Sequence, residues 1–207
     1  MRQVVNVRVA IRMTIALALG PTPIVWAQIA GVQIETARNT PKEQSESARL
    51  QGLLGRFDLT PWVFTRRILI DEKAIPHSHP VLTVGYGDHD NDNLLLSNFV
   101  HEQLHWWLVA HQQATDAAII ELRQLFPGMP VGGADGAQDE QSSYLHLIVN
   151  YLEYQGDKVL LGDQKAADVM AFWKDDHYRV IYKTMLDSED AIGRVVAKHG
   201  LNCCSSR

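Results

Sequence analysis

The stretch from Leu94 to Gln113 is a long helix candidate, apolar at Leu94, Leu95, Leu96, Phe99, Val100, Leu104, Trp106, Trp107 and Leu108. Inside it stands His101-Glu102-Gln103-Leu104-His105, an H-E-x-x-H pattern. Two histidines and a carboxylate in apolar surroundings need partners or a metal, because uncompensated buried charge is costly. On a helix, positions i and i+4 lie about 40° apart and one turn along, so His101 and His105 share a face and can share one tetrahedral ion. Glu102 is adjacent, where its carboxylate can reach a water at the ion without ligating the ion itself. Zinc lowers the pKa of such a water towards about 7, and a nearby carboxylate can take its proton. This is machinery for hydrolysing a peptide or another amide. A chain with 9 His and as many Glu yields roughly 0.02 such matches by chance, so the pattern carries information.

The rest of the sequence narrows the setting. A formal net charge of −5 argues against a nucleic-acid binder, which would want a basic face. No uninterrupted apolar run reaches about 18 residues, so a polytopic membrane protein is excluded. Residues 1–27 read as a secretory signal peptide: Arg2, Arg8 and Arg12 precede the short apolar run Met13 to Gly20, and Val25-Trp26-Ala27 offers a cleavage site. An exported protein, periplasmic or secreted, with no stable membrane span after cleavage, is the expectation. Losing those three arginines would take the formal charge from −5 to −8. Residues 28–45 are polar and aperiodic and read as a linker; 46–201 read as a single domain and 202–207 as a flexible tail. Cys203 and Cys204 are vicinal, which favours free thiols or an intermolecular bond.

Within the domain, Ser45 to Gly55 reads as a short helix. Trp62 to Ile70 and Pro80 to Tyr86 read as strands. Asp116 to Phe126 and Ser142 to Gln155 read as helices, the latter with Gly156 as its C-terminal glycine. Three shorter helices follow, over 164–173, 178–185 and 188–199. Strands come first and helices dominate afterwards, so the fold class is α+β, a small β-rich part followed by a helical bundle.

His101, Glu102 and His105, on a helix after a β-rich segment, resemble the active-site helix of the zincin metallopeptidase superfamily. The resemblance implies His101 and His105 as ligands of one zinc ion per chain and Glu102 as general base. It also implies an edge strand beside the helix that holds the substrate backbone, for which Pro80 to Tyr86 is the candidate, and a peptide or protein substrate. His111 has the spacing of the third histidine in metzincins, but Leu108 stands where that pattern has glycine. On a continuing helix His111 lies about 15 Å along the axis from His101, so it reads as a decoy. The layout is closer to gluzincins, which take their third ligand from a downstream helix, although their N-E-x-x-[SA]-D segment is missing here.

On the helix from Ser142, the residues Ser143, His146, Asn150 and Glu153 form one polar stripe on an otherwise apolar surface. His146 is the favoured third ligand, with Glu153 either supporting the site through a hydrogen bond or ligating instead. The alternative is that His146 and Glu153 pair with each other or face solvent. Tyr178 and Tyr182 are candidate donors to a developing oxyanion, with core packing as the alternative. His77 and His79 form an H-x-H that could be a second metal site but is more often structural. Asp88, Asp90 and Asp92 resemble the start of a calcium loop, yet Asn93 and Phe99 occupy its sixth and twelfth positions, which argues against calcium. Two other functions compete with the exported zinc hydrolase: a non-catalytic metal-binding protein, and a metal-free helical module that docks a partner through Trp106-Trp107.

Overall fold

A computed structural model describes residues 31–85 and 91–204. The predicted signal peptide lies outside them, as do Asp88 and Asp90 of the acidic loop. Three short strands, β1 (Gln33–Thr36), β2 (Arg67–Asp71) and β3 (Leu82–Gly85), form a parallel sheet in the order β1-β2-β3. Ile68 pairs with Ile34 on one side and Leu82 on the other, and Ile70 with Thr36 and Val84. Seven helices complete the described chain: α1 (Pro41–Arg56), α2 (Asp92–Ala110), α3 (Gln112–Leu125), α4 (Glu140–Leu161), α5 (Asp163–Asp176), α6 (Arg179–Asp187) and α7 (Glu189–Lys198). The class is α+β, as the order of sequence patterns predicts. No helix among the described residues is long and apolar enough to cross a membrane.

The stretch expected as a linker, 28–45, instead contains β1 and the first turn of α1. Thr40 caps α1 by accepting from the Glu43 backbone N–H, and Pro41 opens the helix with its fixed φ. Glu43 is buried and accepts from the backbone N–H groups of Arg38 and Glu72, which ties the ends of β1 and β2 to α1. The signal for this was local and polar, so hydrophobic periodicity missed it.

β2 begins at Arg67, later than the predicted start at Trp62, which lies in a 3-10 turn (Thr60–Trp62). The Gln103 side chain of α2 is the reason: its Oε1 accepts from Phe64 N–H at 2.7 Å and Thr65 N–H at 2.8 Å, and its Nε2 donates to Thr65 C=O at 2.9 Å. A ladder is replaced there by a side-chain clamp. α4 also runs past Gly156 to Leu161, where Gly162 caps it at φ 84°. Gly156 serves close approach, since a Cβ there would lie 2.9 Å from Trp62 Nε1.

α4 is the central helix and packs on α2, α3, α5, α6 and α7. Tyr144, Leu147, Ile148, Val149 and Leu152 are buried around it, each contributing about 1.5–3 kcal/mol from area removed from water. α2 lies between α4 and β3, so its buried face is shared by bundle and sheet. The tail does not carry free thiols: Cys203 and Cys204 form a disulfide, with Cys204 in left-handed backbone at φ 65°, and both pack against the core.

Candidate metal centre

His101 and His105 point from one face of α2 towards α4, where His146 meets them. The three offer nitrogen atoms within 4.8 Å of one another, the one such group of three or more His, Cys, Asp or Glu among the described residues. His101 Nε2 and His105 Nε2 are 3.3 Å apart. Two nitrogens each about 2.05 Å from a tetrahedral zinc would stand about 3.3 Å apart, so this pair already has the spacing of ligands.

Hydrogen bonds fix which nitrogen two of the rings present. Glu153 Oε2 lies 2.9 Å from His101 Nδ1, and the Ser142 carbonyl lies 2.7 Å from His146 Nδ1. A carbonyl can only accept, so His146 carries its proton on Nδ1 and turns a bare Nε2 inward. His101 likewise donates through Nδ1. Burial holds the His105 imidazole well below its ordinary pKa and pulls His146 down to about 3, with His101 adding repulsion in both cases. Both are thus neutral, the ligating form. Burial also pulls His101 down, but the Glu153 carboxylate outweighs it and holds that imidazole above its ordinary value. In the metal-free protein a proton on His101 Nε2 can therefore bridge to His105.

Glu153 does not pair with His146. Besides His101 it accepts from Ser97 Oγ at 2.5 Å and from the Tyr182 hydroxyl at 3.1 Å, and Trp173 Nε1 donates to Ser97 in turn at 3.1 Å. Tyr182 thus spends its hydroxyl on Glu153. Tyr178 is placed differently: its ring centroid is 4.4 Å from that of His146. Tyr178 sits at φ 49°, ψ 36° at the start of α6, a conformation rare for a bulky residue. Burial, then the nearby Glu102, raises its phenol.

Glu102 is buried beside the three rings, and burial pushes its carboxyl up to about 7, with His101 opposing the rise. The three histidines, Glu102, Glu153 and both tyrosines line one cavity of about 570 Å³, within the range of small-molecule sites. Ile75 to Ser78, with Val84 and Gly85 of β3, also line it.

The remaining predicted histidines lie apart from the cluster. His111 ends α2, with Nδ1 on the Trp107 carbonyl and its ring 3.6 Å from the Trp107 ring. His79 stacks on Trp106 at 4.2 Å, while His77 lines the cavity with Nδ1 bonded to the Ile75 carbonyl. Sequence reasoning missed Gln103, Ser97 and His177, which also lines the cavity. Ser97 is one turn before His101 and on its face, a signal that periodicity could have found; Gln103 and His177 have none.

Comparison with known proteins finds no match. No family model fits the chain, and neither a curated protein nor a solved structure is significantly similar to it. The site must be read from its own chemistry.

The donor set fits zinc. Three converging imidazoles, with no cysteine nearby and an adjacent carboxylate, match three protein ligands and an open fourth position, the arrangement of catalytic rather than structural sites. The carboxylate on His101 Nδ1 is the customary support for a ligating histidine.

Proposed function

We propose that this chain is a zinc-dependent hydrolase of zincin-like type, a metallopeptidase cleaving peptide bonds, with His101, His105 and His146 as ligands and Glu102 as general base. The observation that carries the reading is the convergence of three imidazoles, two with their tautomers set by hydrogen bonds, next to a buried carboxylate in a cavity of about 570 Å³. A bound zinc would supply Lewis-acid polarisation of the scissile carbonyl and acidify an attacking water. Glu102 takes one proton from that water as its oxygen bonds to the carbonyl carbon. It then hands the proton to the amine nitrogen as the C–N bond breaks, so the carboxylate is regenerated. Tyr178 lines the cavity beside His146, where its hydroxyl can donate to the developing oxyanion. The N-terminal leader read from the sequence would deliver this activity outside the cytoplasm.

Glu102→Gln tests the reading. The variant should bind zinc as the wild type does, and its kcat on peptide substrates should fall about 10²–10⁴-fold. Stoichiometric zinc with no hydrolysis by either protein would point instead to a non-catalytic metal-binding protein. Absence of stoichiometric zinc in the wild type would sink both.

A further inference from the structure

β3 is the last strand of the sheet and borders the cavity through Val84 and Gly85, so an extended substrate would be expected to pair with its free edge. That edge is already taken. Thr83 N–H donates to the His77 carbonyl at 2.8 Å and His77 N–H donates to the Thr83 carbonyl at 3.1 Å, closing an antiparallel bridge. At Gly85, the next residue whose backbone faces the same way, the chain at Ala74 comes so close that a Cβ would lie 2.2 Å from its carbonyl oxygen. Only glycine fits.

The covering segment offers only a broken edge. The Ile75 carbonyl accepts from His77 Nδ1 at 2.8 Å and the Ser78 carbonyl accepts from Trp106 Nε1 at 2.8 Å. Pro76 and Pro80 have no N–H, and both groups of His77 are spent on Thr83. Strand addition needs alternate residues with free N–H and C=O groups along one side. His79, stacked on Trp106, anchors the segment to α2.

Resting on the hydrolase reading, we infer that the substrate is a short peptide or small amide of di- or tripeptide size, held by side chains within the cavity, and not an extended polypeptide bound by strand pairing. The His77–Thr83 bridge is the specificity device. It blocks the site that a long chain would use and leaves the cavity walls to select a compact ligand.

The test uses the full chain loaded with zinc and a series of peptides of one sequence type, from dipeptides to decapeptides, with products read by mass spectrometry. Short members should be cleaved with kcat/KM at least about tenfold above the decapeptides. In a second readout that does not depend on turnover, amide hydrogen exchange should show Thr83 and His77 protected in the metal-free protein, and unchanged by added decapeptide. Decapeptides cleaved as well as or better than dipeptides would overturn the length limit and leave the hydrolase standing. Fast exchange at Thr83, or new protection there on adding decapeptide, would overturn the sealed edge whatever the activity. No cleavage at any length would overturn the hydrolase reading and this one with it.

Discussion

Glu153→Gln is the sharpest perturbation of the metal centre, because it keeps the shape of the side chain and removes its charge. The carboxylate accepts three hydrogen bonds: His101 Nδ1 at 2.9 Å and the Tyr182 hydroxyl at 3.1 Å on Oε2, and Ser97 Oγ at 2.5 Å on Oε1. A glutamine can set its carbonyl oxygen in the Oε2 position and keep the first two. Its amide nitrogen then faces Ser97 Oγ, which already accepts from Trp173 Nε1, so the Ser97 hydroxyl proton loses its acceptor. One such loss costs about 1 kcal/mol of stability, small enough for the fold to survive. The metal should feel more, because the ring opposite Glu153 becomes a poorer ligand once its supporting charge is gone. Loss of a supporting group of this kind weakens affinity about 10–100-fold, equivalent to about 1.4–2.7 kcal/mol. Competition against a chromophoric chelator at about pH 8, where protons compete least for the ligands, measures the zinc Kd. A thermal melt of the metal-free protein beside it separates binding from folding. At lower pH the gap between the two proteins should narrow, since the wild type must expel a His101 proton that Glu153 holds in place. A Kd within about threefold of wild type at the higher pH would refute the assignment of His101 as a supported ligand, because the expected effect is larger than that.

Gln103→Leu should destabilise the fold by about 2–4 kcal/mol by stranding the Phe64 and Thr65 N–H groups and the Thr65 carbonyl; a chemical melt within about 0.5 kcal/mol of wild type would show that the clamp is dispensable. Asp157 is buried, and burial, reinforced by Glu153 and only partly opposed by Ser97, raises its pKa well above the ordinary value. The folded state therefore binds that proton more tightly than the unfolded chain does, and stability falls as pH rises above about 3.9. Asp157→Asn removes this titration, so the difference in Tm from wild type should shift in favour of the variant as pH is raised from about 4 to 7; a difference independent of pH would mean that Asp157 stays ionised in the folded protein.

Much of the candidate centre was legible because helical geometry is local. The placement of His101 and His105 on one face follows from a spacing of four on an apolar helix, and it holds in α2. The polar stripe of α4 is the same argument, and His146, Asn150 and Glu153 are all buried along that helix. Strand limits were less legible. β2 is short because a glutamine from α2 holds the residues before it, and β1 escaped notice because its pairing partner lies 34 residues away across α1.

What the sequence by itself determined, then, is the set of residues that must be near one another along each helix. The spacing of backbone turns decides this without reference to the rest of the fold. What only the tertiary structure decided is who faces whom between elements. Glu153 turns to His101, 52 residues away, and not to His146 on its own helix. Tyr182 turns to Glu153, while Tyr178 lies against His146. His77 folds over the edge of β3 and bridges to Thr83. These choices depend on how α2, α4 and α6 pack and on where the loop after β2 is anchored, and no local pattern encodes them, because each contact joins segments that meet only once the core has formed.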